Sequence, residues 1–211
     1  MCCDSLSMAQ DPIRYLALGD SYTIGESVDP ADRWPVQLAE RLRDTGVSID
    51  EPVIIARTGW TTGELSSAID ESGIKEVFDL VTLLIGVNNQ YRGYDTASYR
   101  SDLIRLIERA VGFAGGDITK VILVSIPDWG VMPFAEGRDR DKIAAEINTF
   151  NDIMRTEAES VGVSFINITP VSRTAAVDPE MAAVDGLHPS GKMYSKWVDL
   201  VLPVARGILG N

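Results

Sequence analysis

The chain has 211 residues, of which 45% are hydrophobic and 24% charged, the ordinary balance of a globular protein. Its formal net charge of −12 at pH 7 repels phosphate backbones and anionic bilayers, which makes nucleic acid an unfavourable partner. No apolar run reaches the roughly 18 residues that a membrane span requires, so membrane insertion is not expected.

The first ten residues, MCCDSLSMAQ, are predicted to be a mobile tail. Cys2 and Cys3 are adjacent within it and do not form a disulfide framework. The segment lacks the apolar centre of a signal peptide, so the default expectation is a cytoplasmic protein, or a periplasmic or secreted one if a leader preceded this sequence. Residues 11–211 are expected to form a single domain.

Beyond the tail, short apolar runs alternate with amphipathic segments. In chain order, the sequence predicts a strand at 13–21, a helix at 32–46, a strand at 52–58, a helix at 61–72, a strand at 78–89, a helix at 96–114, a strand at 119–127, a helix at 140–162, a strand at 163–168 and a helix at 189–209 that is kinked at Pro203. The strands are near-continuous apolar runs, which predicts a sheet covered on both faces. We therefore expect an α/β fold with about five parallel strands between two helical layers, and with the carboxyl ends of the strands at one edge.

Two of the predicted strands end in small residues that suit a reactive site. Ser21, in LGDSYTIGE, lies just past the first strand, where a serine can act as a nucleophile if a base reaches it. Gly59, in ARTGWTTGE, has no side chain, so its N–H can approach a ligand closely. Taken alone, Ser21 is better explained as a helix cap or turn residue, and Gly59 as a turn glycine.

Two further motifs supply amide and acid–base groups. Asn88 or Asn89, in IGVNNQYRG, could donate an amide N–H to a developing oxyanion, although either also suits a turn. Asp185 and the chain's only histidine, His188, stand three apart in DGLHP before the last helix. In a single turn this spacing lets the carboxylate meet the ring Nδ1–H, which fixes the tautomer and favours the imidazolium.

Together these motifs supply a nucleophile, a base, an orienting carboxylate and oxyanion donors at one predicted edge. The four blocks GDSYTIGE, TGWTT, GVNN and DGLHP resemble, in order, those of the SGNH hydrolase superfamily, also called GDSL esterases/lipases. The resemblance implies a flavodoxin-like three-layer α/β/α sandwich. It also implies a catalytic triad of Ser21, Asp185 and His188, with oxyanion donors from the N–H groups of Ser21 and Gly59 and from the Asn88 side chain.

Two stretches depart from the family's pattern. The third block usually reads Gly-x-Asn-Asp, and here Asn89 replaces the aspartate. The second block often has an asparagine shortly before its glycine, and here that stretch reads IIART. How Asn88 and its loop are braced is therefore left open by the sequence.

The resemblance implies a serine esterase that cleaves carboxylic esters through an acyl-enzyme. No long apolar lid is visible, which favours short acyl or acetyl groups. A carbohydrate O-acetylesterase and a lysophospholipase or thioesterase are alternatives within the family, and a catalytically inactive binding module on the same fold is an alternative of another class. Contacts with this small-molecule ester are expected from Asp20, Asn89, Tyr91, Trp129, Met132 and Phe134.

No metal or cofactor is expected. One histidine and two tail cysteines do not make a zinc ligand set, and no Gly-x-Gly-x-x-Gly motif follows a predicted strand. The sequence does not indicate an oligomeric state.

Overall fold

The computed structural model describes residues 11–210, so the predicted tail with Cys2 and Cys3 lies outside the described residues. Five strands form one sheet in which every pairing is parallel. They are β1 (Tyr15–Asp20), β2 (Val53–Arg57), β3 (Leu80–Leu84), β4 (Val121–Val124) and β5 (Ser164–Ile166). Their spatial order is β2-β1-β3-β4-β5, the flavodoxin-like order, which confirms the predicted fold class.

Helices cover both faces of the sheet. They are α1 (Ser21–Ile24), α2 (Trp34–Asp44), α3 (Thr62–Ser72), α4 (Val87–Tyr91), α5 (Thr96–Phe113), α6 (Arg140–Val161), α7 (Thr169–Ser172) and α8 (Gly191–Ile208). Helix α2 packs on α8, and α5 packs on both α3 and α6. The central strands β1, β3 and β4 are buried at every position, as expected for strands covered on both faces. None of the helices within residues 11–210 combines the length and the hydropathy of a membrane span.

The prediction of a single strand over residues 78–89 is wrong in its second half. Strand β3 ends at Leu84, and helix α4 begins at Val87. Gly86 lies between them with a φ of 127°, which ends the extended backbone. Ile85 and Val87 are buried on either side of the break, so the apolar run continues although the strand does not. The last strand is also shorter than predicted, and α8 continues through Pro203, where the kink stays a prediction.

The strand order places a crevice at one edge of the sheet. The chain leaves β1 toward β2 on one side and later returns to β3 on the other side of β1. At such a reversal the loops that follow the two neighbouring strands diverge, and ligands bind between them. Ser21 follows β1 directly, and Asn88 lies in the short helix that follows β3.

Candidate active site

Ser21 is the first residue of α1 and is 4% exposed. The tight passage from β1 into α1 depends on Gly19, because a Cβ there would lie 2.1 Å from Thr23 Oγ1 and 2.5 Å from the Leu84 carbonyl oxygen. Asp20 caps the helix, and its Oδ1 accepts the Tyr22 N–H at 3.0 Å. The strand, its glycine and the cap therefore fix where the Ser21 side chain lies.

Asp20 was expected to contact the substrate, but it is fully buried and does not line the cavity described below. Its side chain caps α1 instead. Burial raises the pKa of the Asp20 carboxyl to about 7, although hydrogen bonds from backbone N–H groups and from Asn88 oppose this. The Asn88 contribution is weak, since Nδ2 lies 3.5 Å from Asp20 Oδ2. A carboxyl group that titrates near neutral pH therefore stands next to Ser21.

Asp185 and His188 meet within one turn of the loop before α8. His188 Nδ1 lies 2.6 Å from Asp185 Oδ2, and the backbone N–H groups of Leu187 and His188 donate to Oδ1, each at 2.9 Å. The Ser27 hydroxyl also donates to Oδ2, at 2.7 Å. Partial burial raises the pKa of the Asp185 carboxyl, but these hydrogen bonds outweigh it and hold the pKa well below the ordinary value. Asp185 is therefore ionised at neutral pH.

The His188 ring is almost fully buried and packs against Tyr22, with a distance of 5.4 Å between the ring centroids. Because Asp185 holds Nδ1, Nε2 is the ring nitrogen left to exchange a proton. Among the described residues, no hydrogen bond joins the ring to the Ser21 hydroxyl. Both residues nevertheless line the same cavity.

The loop after β2 is held by side chains that follow β3. Gly59 has a φ of 85°, a conformation that glycine adopts without strain, and its carbonyl accepts from Arg92 Nη2 at 2.6 Å. Asn88 Nδ2 donates to the Trp60 carbonyl at 3.0 Å. Asn89 is fully buried and hydrogen-bonds to Thr62 rather than lining the cavity, so its expected substrate contact is replaced by a bracing role.

One cavity of about 180 Å³ brings the predicted groups together. It is lined by Ser21, Tyr22, Thr58, Gly59, Val87, Asn88, Tyr91, Trp129, Phe134, Leu187 and His188. Of the expected substrate contacts, Tyr91, Trp129 and Phe134 lie on it, while Met132 is fully buried in the core and does not. Four further lining residues were not among the expected contacts, although each stands inside a quoted block beside a reactive residue: Tyr22, Thr58, Val87 and Leu187. Ser27, which reaches Asp185, was also not expected, because it belongs to no motif.

Three aromatic rings form one wall of this cavity. The Tyr91 and Trp129 ring centroids are 5.3 Å apart, and the Trp129 and Phe134 centroids are 6.2 Å apart. Trp129 Nε1 donates to Gln90 Oε1 at 2.8 Å, which fixes the indole. The Arg138 guanidinium lies over all three rings, at 5.3–5.5 Å from their centroids. The cavity therefore joins a hydroxyl, an imidazole and amide donors to an apolar wall, a combination suited to acyl transfer.

The profile of the GDSL-like Lipase/Acylhydrolase family matches residues 17–196. Among solved structures, TesA is similar at 21% identity over 92% of this chain and 99% of its own, with a TM-score of 0.72. The lipase/acylhydrolase from Enterococcus faecalis is similar at 22% identity over 92% and 96%, with a TM-score of 0.71. The W215I variant of Axe2, an acetyl xylan esterase from Geobacillus stearothermophilus, is similar at 19% identity over 92% and 94%, with a TM-score of 0.71. Comparison with curated protein sequences finds no match.

Proposed function

The chain belongs to the GDSL-like lipase/acylhydrolase family and is a hydrolase of ester bonds, and from that premise we propose that it is a serine esterase for short acyl or acetyl esters. The proposed triad is Ser21, His188 and Asp185. The observation that carries the proposal is that an imidazole anchored on a carboxylate lines the same cavity as the serine at the end of β1.

In the proposed first step, Ser21 Oγ attacks the ester carbonyl carbon while its proton passes to His188 Nε2. The negative charge that develops on the carbonyl oxygen is held by the N–H groups of Ser21 and Gly59 and by the Asn88 amide. Asn88 Nδ2 has two hydrogens: one holds the Trp60 carbonyl at 3.0 Å, and the other, whose contact with Asp20 Oδ2 is weak at 3.5 Å, is proposed to leave Asp20 and serve the oxyanion. The intermediate collapses, His188 gives its proton to the leaving alcohol, and an acyl-enzyme remains.

In the second step, water attacks the acyl group as His188 accepts one of its protons. The released product is the carboxylic acid, and the returning proton regenerates the Ser21 hydroxyl. Asp185 fixes the ring tautomer and stabilises the imidazolium in both steps. The Ser21–His188 hydrogen bond is expected to form when substrate is bound, because catalytic hydrogen bonds are often longer in the free enzyme.

The size of the cavity supports a short acyl group. Its volume of about 180 Å³ is small beside the roughly 300–1,000 Å³ of pockets that enclose drug-sized ligands. The apolar wall of Tyr91, Trp129 and Phe134 suits an acetyl methyl group or a short acyl chain. Longer acyl chains would have to extend into solvent.

A carbohydrate O-acetylesterase is the second candidate. Tyr91 is 47% exposed and Phe134 is 41% exposed, so both residues line the cavity and also reach solvent at its rim. Aromatic faces at a cavity rim suit the apolar faces of sugar rings. An acetyl xylan esterase is among the similar structures, which supports including sugar acetates among the substrates to be tested.

A substrate series tests the proposal. Purified enzyme is assayed on p-nitrophenyl esters of increasing chain length, on an acetylated xylo-oligosaccharide and on an acyl thioester, with Ser21→Ala as the inactive control. We expect the highest kcat/KM for acetate or butyrate. A preference for long acyl chains, or for the thioester, would contradict the short-ester proposal. A clear preference for the acetylated sugar would favour the second candidate.

A further inference from the structure

The segment after α1 reaches two different loops of the active site with two adjacent side chains. Glu26 Oε2 accepts a hydrogen bond from the Thr58 hydroxyl, next to Gly59. Ser27 Oγ donates to Asp185 Oδ2 at 2.7 Å. One side chain thus contacts the loop after β2, and the next contacts the loop that carries His188.

The backbone of this segment is tied to the proposed nucleophile. The Ser21 carbonyl accepts the N–H groups of both Gly25 and Glu26. Ser27 has a φ of 65° and is the one non-glycine residue with positive φ in the described part of the chain. An L-residue rarely adopts this conformation, and where it does so the surroundings hold it, most often at functional sites.

The Ser27 hydroxyl forms a long-range contact rather than a local one. A serine in a turn ordinarily hydrogen-bonds to backbone groups a few positions away. Here the partner is a carboxylate 158 positions along the chain. That partner is also the oxygen that faces the His188 ring, since Nδ1 and the Ser27 hydroxyl both meet Oδ2.

We propose that Ser27 is a positioning residue of the active site, which holds the Asp185 carboxylate in the orientation that aligns His188. The inference rests on the proposed function. Two backbone N–H groups bind Oδ1, and Ser27 and His188 bind Oδ2, so the four donors fix the plane of the carboxylate. Without the Ser27 hydroxyl, Oδ2 would take a water molecule in its place, and the plane of the carboxylate would be less restrained.

The first test removes the hydroxyl and keeps the backbone. Glycine adopts positive φ readily, so Ser27→Gly removes the donor without adding strain. We expect kcat on p-nitrophenyl acetate to fall roughly tenfold, the effect of losing one hydrogen bond to a charged group. KM should change little, because Ser27 does not line the cavity.

Ser27→Asn is the matched rescue variant. Asparagine also tolerates the left-handed conformation, and its amide offers an N–H to Asp185. We expect it to regain most of the lost kcat. Equal losses in both variants, with an unchanged temperature of unfolding, would show that the hydroxyl does not act as a donor to Asp185.

A double-mutant cycle with Asp185→Asn separates this inference from the proposed function. If Ser27 acts through Asp185, Ser27→Gly should change kcat less than about twofold once Asp185 is replaced. Independent effects that multiply in the double variant would overturn the positioning role. Wild-type kcat in Asp185→Asn alone would instead overturn the proposed triad. A normal kcat in Ser27→Gly beside an impaired Asp185→Asn would overturn only the role of Ser27.

Discussion

Asn89 and Thr62 are joined by two hydrogen bonds across 27 positions of sequence. The Thr62 N–H donates to Asn89 Oδ1 at 3.0 Å, and Asn89 Nδ2 donates to Thr62 Oγ1 at 2.8 Å. The Thr62 hydroxyl gives its own proton to Asp102 Oδ2, at 3.0 Å. An aspartate at position 89 would have no N–H to offer, so the hydroxyl could not bond to it and to Asp102 at once. Asparagine at position 89, where the family pattern has aspartate, therefore suits the Thr62 hydroxyl, which already donates its proton to Asp102.

This pair predicts a coupled loss of stability. Asn89→Ala leaves the buried Thr62 N–H and hydroxyl short of a partner, and should lower the free energy of unfolding by about 1–3 kcal/mol. Thr62→Val removes the hydroxyl alone. Urea unfolding of both single variants and the double variant measures the coupling between the two residues. Additive losses would show that the bond from the Asn89 amide to the Thr62 hydroxyl contributes nothing to stability beyond the two separate sites.

The proposed nucleophile and base predict two inactive variants. Ser21→Ala and His188→Ala should each abolish turnover of p-nitrophenyl acetate, because the chain has one histidine to act as base. A fluorophosphonate probe should label the wild type and fail to label Ser21→Ala. Ser101→Ala, an exposed serine on α5, is the control and should keep both activity and labelling. Wild-type turnover in either inactive variant would refute the assignment, and an unlabelled wild type would favour an inactive binding module.

Asn88 is expected to act on kcat rather than on KM. Asn88→Ala should lower kcat by about 10²–10³, the usual cost of removing one oxyanion donor. The variant also loses the bond to the Trp60 carbonyl, so Arg92→Ala, which frees the neighbouring Gly59 carbonyl, is the control for loosening the same loop. If both variants lose kcat equally, the role of Asn88 lies in holding the loop. An unchanged kcat in Asn88→Ala would place the oxyanion donor elsewhere.

The sequence predicted the sheet well because its central strands are buried on both faces. β1, β3 and β4 are continuous apolar runs for this reason, and their positions were read correctly. The end of β3 was not predicted, because Ile85 and Val87 are both buried and the apolar run continues past the strand. The positive φ of Gly86, which ends the strand, cannot be inferred from a run of apolar residues. Local pattern thus locates strands more reliably than it locates their ends.

The groups that meet at the site were predictable by motif, but the residues that hold them were not. Ser21, Gly59, Asn88 and His188 stand in blocks of characteristic sequence, and they line one cavity. Thr62 and Ser27 find their partners 27 and 158 positions away, at distances over which no local pattern operates. Met132 was misplaced because an irregular segment has no period to tell which side chains face the core.

The buried carboxyl of Asp20 predicts an unusual dependence of stability on pH. Its ordinary pKa is 3.8, and burial raises the pKa in the folded protein to about 7. Between these values Asp20 is ionised in the unfolded chain and protonated in the folded one, so the folded state binds more protons. The stability that Asp20 contributes is therefore fully present below its unfolded pKa and is lost as pH rises toward 7.

Asp20→Asn should remove this loss, because asparagine cannot ionise while its Oδ1 can still cap α1. The variant should gain stability relative to the wild type as pH rises from about 4 to 7, by at most about 1.4 kcal/mol per pH unit, and the difference should then level off. Asp117→Asn is the opposite control. Hydrogen bonds from Thr119 lower the pKa of Asp117, so the ionised carboxylate stabilises the folded state. As pH rises through the acid range, this variant should therefore lose stability relative to the wild type. Urea unfolding at several pH values measures both differences. A difference for Asp20→Asn that stays constant from pH 4 to 8 would mean that Asp20 is ionised in the folded protein throughout, with its charge stabilised by the Tyr22 N–H and the Asn88 amide.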